Sequence, residues 1–398
     1  MTRRRAALPA APAAWRGARL AAAALLLAHG AAHAVQDCEI NGLAVNPANG
    51  ATTAGKSGLM RCRDRDTREL VREQQIQSGT FQGVVRSYDK GKLAKEYSVN
   101  ATGNMHGLAR EFASNGRVVR EATYDDGHET GLVRSFYPTG QLRRVTYFAD
   151  SAGERAFAEF TERGQLSALR CGDKPVLAPA ADDAKLCGFD NGPSRVELFD
   201  GKGILRSRLA YLSGKRVRSE DFYDNGKPAA QDELVGNQRT ERRFSSEGVK
   251  RREVVSLLGE RGAVKQRDQE FSERGTLVRE QRWNAAGDPV SDESFYLNGQ
   301  PRSKAVYGVD GGSRLIEVTE FYDNGQRAAV GRYIATDRFR QIPIGTHQRF
   351  NEKGVLIAES IYDENGRIAR ERAWDANGKL ERDDQVFEDG SRKEFTSQ

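Results

Sequence analysis

The sequence predicts an all-β fold, an elongated antiparallel meander of β-hairpin repeats in one or two twisted sheets. Three observations carry this. Aromatic residues recur on a beat of 12 in Phe112, Tyr124, Phe136, Phe148 and Phe160. Glycine follows at a fixed offset of four, as in Phe112/Gly116, Phe136/Gly140 and Phe160/Gly164. Between these marks the residues alternate with period two, and no window sustains the i, i+3, i+4, i+7 spacing of an amphipathic helix.

The beat has a mechanical origin. A strand of about seven or eight residues and a turn of about four fill it. Ser114-Asn115-Gly116 and Asp125-Asp126-Gly127 supply the turn chemistry, because Asn and Asp tolerate the left-handed region and Gly enters it freely. Twelve is even, so side-chain parity can pass from strand to strand and the aromatics can share a face. Successive aromatics end strands of opposite direction. Two aromatic ladders are therefore expected, one near each long edge. Each buried Phe would contribute about 1.5–3 kcal/mol. With 38% hydrophobic and 30% charged residues, the chain has little else from which to build a core.

Taken in order, residues 1–34 read as a secretory signal peptide. Arg3, Arg4, Arg5, Arg16 and Arg19 form a basic leader, Leu20 to Ala28 an apolar run too short to span a bilayer, and Ala32-His33-Ala34 a cleavage site before Val35. Arg3-Arg4 also fits a weak twin-arginine signal. Cys38 lacks the preceding small apolar residues of a lipoprotein signal, so no lipid anchor is expected. The whole chain carries 62 Lys+Arg and 56 Asp+Glu; without the leader this becomes 57 against 56. The basicity is thus a targeting feature. Nucleic-acid binding, which leaves a basic stripe, is not expected.

Residues 35–77 lack the beat. Asn46-Pro47, Asn49-Gly50 and Gly55 to Gly58 read as loops of an N-terminal capping segment. A first repeat array follows over residues 78–170, where Gly83, Gly107 and Gly131 fall 24 apart. Residues 171–192 contain Pro175 and Ala178-Pro179 and read as a linker, an excursion from the sheet. A second array spans residues 193–398. It repeats an aromatic residue with Gly four later, as in Phe199/Gly203, Phe222/Gly226, Phe244/Gly248, Trp283/Gly287, Phe321/Gly325 and Trp374/Gly378. Extra residues near Leu257 to Val264, Val309 to Ser313 and Thr336 to Gly345 should form loops.

Four cysteines, Cys38, Cys62, Cys171 and Cys187, permit three disulfide pairings. Cys38–Cys62 and Cys171–Cys187 are expected, because each pair brackets a repeat-poor segment. Each would stabilise by about 3 kcal/mol in the chain-entropy model. Zinc is the competing reading, but the chain has no CxxC and no His near either pair.

At its repeats the chain resembles the bacterial MORN-repeat-variant proteins. Gly131, Phe136, Tyr137, Gly140, Leu142, Tyr147 and Phe148 follow their pattern, as do Phe222-Tyr223-Asp224-Asn225-Gly226 and Phe321-Tyr322-Asp323-Asn324-Gly325. The resemblance covers most of the chain from Ser78 onward and implies MORN-like hairpins in an elongated antiparallel sheet. Some relatives serve as antitoxins, a role that does not suit an exported chain with disulfides. Membrane-lipid binding also attaches to MORN proteins, but the near-neutral charge gives no attraction to anionic lipid.

The residues suggest no catalytic constellation and no cofactor. His106 and His128 occupy equivalent turns and could pair on a metal, but turn positions that tolerate any polar residue are the favoured reading, since no third ligand type recurs beside them. Asp224 to Gly226 and Asp323 to Gly325 could be calcium loops, but calcium needs six to eight oxygens and these supply too few. Carboxylates are abundant, yet a ribbon offers few pockets for glycosidase-like chemistry. The expected protein is a non-enzymatic exported scaffold, periplasmic, envelope-associated or secreted, that binds a protein or envelope polymer. The alternatives are a structural spacer and an enzyme acting on envelope polysaccharide through its insertions.

Overall fold

A computed structural model describes residues 36–149, 153–190, 192–335 and 341–394. The expected signal peptide and its cleavage between Ala34 and Val35 lie outside the described residues. Strand accounts for 61% of the described residues and helix for 2%. This is the all-β meander anticipated from the beat.

The strands run in chain order. The first six are β1 Gln36–Ile40, β2 Leu43–Val45, β3 Gly58–Asp64, β4 Leu70–Gln77, β5 Thr80–Asp89 and β6 Lys92–Val99. Next come β7 Gly107–Phe112, β8 Val118–Asp125, β9 His128–Phe136, β10 Leu142–Phe148, β11 Glu154–Phe160 and β12 Leu166–Arg170. A one-turn helix, α1 Asp183–Leu186, lies in the linker. It is followed by β13 Val196–Phe199, β14 Leu205–Leu212, β15 Lys215–Phe222, β16 Pro228–Val235, β17 Gln238–Phe244 and β18 Lys250–Gly259. Then come β19 Gly262–Phe271, β20 Leu277–Trp283, β21 Pro289–Phe295, β22 Pro301–Asp310, β23 Ser313–Phe321 and β24 Arg327–Ala335. The last are β25 Gln341–Phe350, β26 Leu356–Tyr362, β27 Ile368–Trp374, β28 Leu380–Val386 and β29 Arg392–Glu394. They form two open antiparallel sheets of 12 and 17 strands, in sequence order except that β1 lies between β3 and β2. The sheet break falls between Arg170 and Val196, where the linker was expected.

The chain divides into two compact units. The described residues up to 118, with Thr123–His128, form the first; Val119–Ala122 with those from 129 onward form the second. In the first unit, residues 36–77 are more than a loop-rich cap, for they contain four strands of the sheet. The sequence hides them because no aromatic–glycine pair announces them. In β3, buried Met60 and Cys62 alternate with Arg61 and Arg63, the period-two signature of a half-buried strand. Cys38 stands directly opposite Cys62 in the ladder and is bonded to it. Around this bridge pack Ile40, Val45, Met60 and Ile76, with Val71 and Phe81 against them.

In the second unit the linker is an interior plug, not an excursion. Leu177 and Cys187 are fully buried. Leu177 and Ala181 join Val145, Ala156 and Ala158 in one cluster, while Leu186 and Cys171 pack against Val196, Leu209 and Tyr211 in another. Proline and alanine kept this segment out of the ladder, but its apolar side chains still needed cover. Asp183 sets the loop: its buried carboxylate accepts hydrogen bonds from the N–H groups of Val176 (2.6 Å) and Leu177 (2.9 Å). Cys171–Cys187 closes the loop, as expected.

The aromatic residues are placed differently from the expected core. Phe112, Phe136, Phe160, Phe222 and Phe321 are half-buried, and the largest fully buried side chains are Ile40, Met60, Leu177, Val85 and Val145. Among the described residues, no strand of the second sheet packs extensively on any but its ladder neighbours, apart from β13 against β12 at its edge. With no second layer to cover them, several rings are roofed by cationic side chains. Lys250 lies 4.4 Å from the Phe271 ring centre and Arg208 lies 5.2 Å from that of Phe222. The expected pair of ladders is also unequal in the second sheet. Phe199, Phe222, Phe244, Phe271, Phe295, Phe321, Phe350 and Trp374 end the odd-numbered strands and share one edge; only Trp283 and Tyr362 end even-numbered ones.

Candidate binding surface

Each aromatic–glycine pair is one turn device. In Phe222 to Lys227, the Tyr223 N–H donates to the Lys227 carbonyl and the Gly226 N–H to the Tyr223 carbonyl, both at 2.9 Å. Gly226 takes φ +77°. This is a type I turn closed by a glycine bulge, which explains the constant offset of four. The same bonds recur around Gly116, Gly140, Gly164 and Gly325.

The Tyr and Asn of these turns do more than bend the chain. The hydroxyls of Tyr137, Tyr223, Tyr296 and Tyr322 donate to the carbonyls of Phe160, Phe244, Phe321 and Phe350 at 2.8–2.9 Å. Each bond ties one turn to the next along the edge. Asn225, Asn298 and Asn324 add parallel ties through Nδ2 to Ser246, Asp323 and Glu352. Replacing Tyr322 by Phe should leave the fold intact and lower local stability by about 1 kcal/mol, the net worth of one such bond. Amide exchange in the 350–354 turn would measure it; unchanged protection there would refute the role of the tie.

Across the second sheet the ladder places one residue per strand in an unbroken row from β13 to β28. It runs Glu197, Arg208, Glu220, Gln231, Arg242, Glu253, Gln269 and Glu280, then Glu293, Lys304, Thr319, Val330, Gln348, Glu359, Arg372 and Asp383. Directly opposed residues point to one face, so this is a nearly all-polar stripe on a single face. Neighbours bond along it. Arg208 donates to Glu197 (3.0 Å), Gln231 to Glu220 (2.8 Å), Arg242 to Glu253 (2.9 Å) and Gln348 to Glu359 (2.9 Å).

The opposite face carries bidentate pairs. Arg239 grips Asp232, Arg252 grips Asp268, and Arg279 grips Asp292, each with a bond of 2.6–2.7 Å. Planar guanidinium groups fit carboxylates this way. Burial alone would raise the Asp268 carboxyl; hydrogen bonds from Arg252 and Lys265 outweigh it and hold it below its ordinary range. Burial likewise opposes Glu253, and Arg242 and Lys250 overcome it. Carboxylates so held stay ionised at neutral pH. They lock neighbouring strands together.

The other residues singled out in the sequence fall as follows. His106 Nδ1 lies 3.3 Å from Asp125, and both His106 and His128 lower the pKa of Asp126 in the same turn. The main causes of that lowering are hydrogen bonds from Asn104 and then Asn100. Asp224 pairs with Arg206, and the Asn225 and Asn324 side chains are spent on the turn ties. Among the described residues, no group of three or more His, Cys, Asp and Glu is placed to hold a metal. His347 sits between the rings of Tyr333 (4.9 Å) and Tyr362 (4.7 Å), in a bulge that interrupts the β24–β25 ladder. Among the described residues, no helix is long and apolar enough to cross a membrane.

Sheets assembled from hairpins that reuse one turn device define a β-hairpin repeat protein. Residues 129–150 match the MORN repeat variant family, which supports a MORN-like repeat. No curated protein matches the chain. Solved structures with some likeness include TarM, at 16% identity over 23% of this chain with a TM-score of 0.18. They also include the TcdB2-TccC3-Cdc42 complex and the Photorhabdus luminescens Tc holotoxin pore, each at 10% identity over 84% of this chain with a TM-score of 0.17. The chain spans 18% of the length of each of these solved chains.

Proposed function

We propose that this protein is a non-enzymatic exported scaffold whose repeat surface binds another protein or an envelope polymer. The carrying observation is the polar row of the second sheet, which runs across sixteen strands on a face that no other strand covers. A surface of this kind suits binding distributed over many weak contacts. Export is supported by the two disulfides, which persist in oxidising compartments. Crosslinking in an envelope fraction, followed by reconstitution with the purified partner, tests the reading. A defined, saturable partner is the expected result. Failure to retain any saturable partner would leave a passive spacer in its place.

A further inference from the structure

A cavity of about 460 Å³ lies in the second unit, where the end of β12, the Cys171 bridge and the hairpins of β14 to β18 meet. That volume lies within the range of small-ligand sites, about 300–1,000 Å³. Four arginines line it: Arg170, Arg216, Arg218 and Arg239. One carboxylate, Asp232, lines it with them. Leu169, Leu234 and Leu258 give it apolar walls.

The charges do not balance as they do elsewhere in the sheet. Asp232 is taken by the bidentate grip of Arg239, at 2.9 and 2.7 Å, and stands 3.9 Å from Arg216. The ion-pair partner of Arg170 is Glu154, outside the cavity at 3.8 Å. Arg218 stands opposite Glu233 in the ladder, on the face away from Asp232, which leaves Arg170, Arg216 and Arg239 on the side of the one carboxylate. A bulge re-aims the two arginines. Ala210 pairs with Arg218 and Tyr211 with Arg216, so Val217 is extra, the two arginines take opposite faces, and Arg216 is turned to the face of Asp232 and Arg239. Bulges re-aim side chains in this way.

We propose that this cavity binds an amphiphilic oxyanion, a carboxylate or phosphate group carried on an apolar body. Incompletely paired guanidinium groups in a concavity attract and grip an oxyanion, and the leucines cover the attached apolar part. The inference rests on the scaffold reading and names the chemistry of one of its contacts.

Calorimetric titration of the disulfide-intact chain tests it with four probes: inorganic phosphate, phenyl phosphate, acetate and benzoate. Saturable binding is expected for at least one ring-bearing anion, tighter than for its bare counterpart. The pair that gives the gain identifies phosphate or carboxylate as the recognised group. Arg216→Gln gives up a 3.9 Å approach to Asp232, a carboxylate that Arg239 already holds, and should weaken binding about tenfold, as loss of a charged hydrogen bond would. Arg261→Gln, in the exposed β18–β19 turn, should leave it unchanged. No saturable binding of any probe, or equal weakening by the two variants, overturns the site. If the probes fail but a macromolecular partner is still captured, the site falls and the scaffold stands. If the probes bind and no partner is captured, the scaffold reading falls and the site stands.

Discussion

Gly214→Ala is expected to undo the docking of the linker on the second sheet, at a cost of about 4 kcal/mol. Gly214 turns the β14–β15 hairpin at φ +79°, and its N–H donates to the Cys187 carbonyl at 2.9 Å. The neighbouring Ser213 N–H donates to the Gly188 carbonyl at 2.8 Å. A Cβ at Gly214 would overlap the carbonyl oxygen of Gly172 and reach within 2.9 Å of the Phe189 ring. Backbone strain and backbone collision therefore add. Gly226→Ala separates the two: it has a similar φ of +77° with open space around its Cβ. It should cost about 1 kcal/mol from strain alone. Repeat arrays do not unfold in one step, so local amide exchange in residues 176–190 is the proper measurement. Equal costs for the two variants would mean that the linker is not seated on the hairpin.

The linker also shows what the sequence could and could not convey. Its exit from the ladder was legible in Pro175 and Pro179. Its role as core was not, because Leu177, Ala181 and Leu186 have no periodicity in so irregular a segment. The turns were legible nearly atom by atom, since an αL glycine has a fixed place in a hairpin. The Tyr and Asn ties were not, since their acceptors lie 21 to 28 residues away in a turn whose register depends on the whole hairpin between. The polar row did leave a trace. Glu197, Glu220, Arg242, Gln269, Glu293, Thr319, Gln348 and Arg372 each stand two residues before the aromatic of their strand, hence on the same face. The stronger aromatic beat two residues on masks it. The rings are half-buried, and cations cover several of them.

Removing one buried carboxylate gives the second large effect. Glu253 is buried between three cations: Arg242 at 2.9 Å, Arg267 at 2.8 Å and Lys250 at 3.3 Å. Glu253→Gln keeps the shape but removes the counter-charge that Lys250 and Arg267 share, and leaves Arg242 only the longer approach to Glu233, at 3.9 Å. The loss should be about 3 kcal/mol at neutral pH, the low end for a broken buried pair because the cations remain partly in water. The sign of the pH dependence follows from the carboxyl, which burial would raise but which Arg242 and Lys250 hold below its ordinary 4.5. A depressed folded pKa contributes stability that is fully present above the unfolded value and is lost as pH falls through the folded one. The wild type should therefore weaken progressively below about pH 4.5, and the gap between it and Glu253→Gln should close over the same range. Asp268, held low against burial by Arg252 and Lys265, extends the acid loss below its ordinary 3.8. Urea titrations of both proteins from neutral pH into this acid range, read by exchange in β17 to β19, would measure the gap. A gap of constant size throughout would show that packing, and not the ionised carboxylate, holds these strands together.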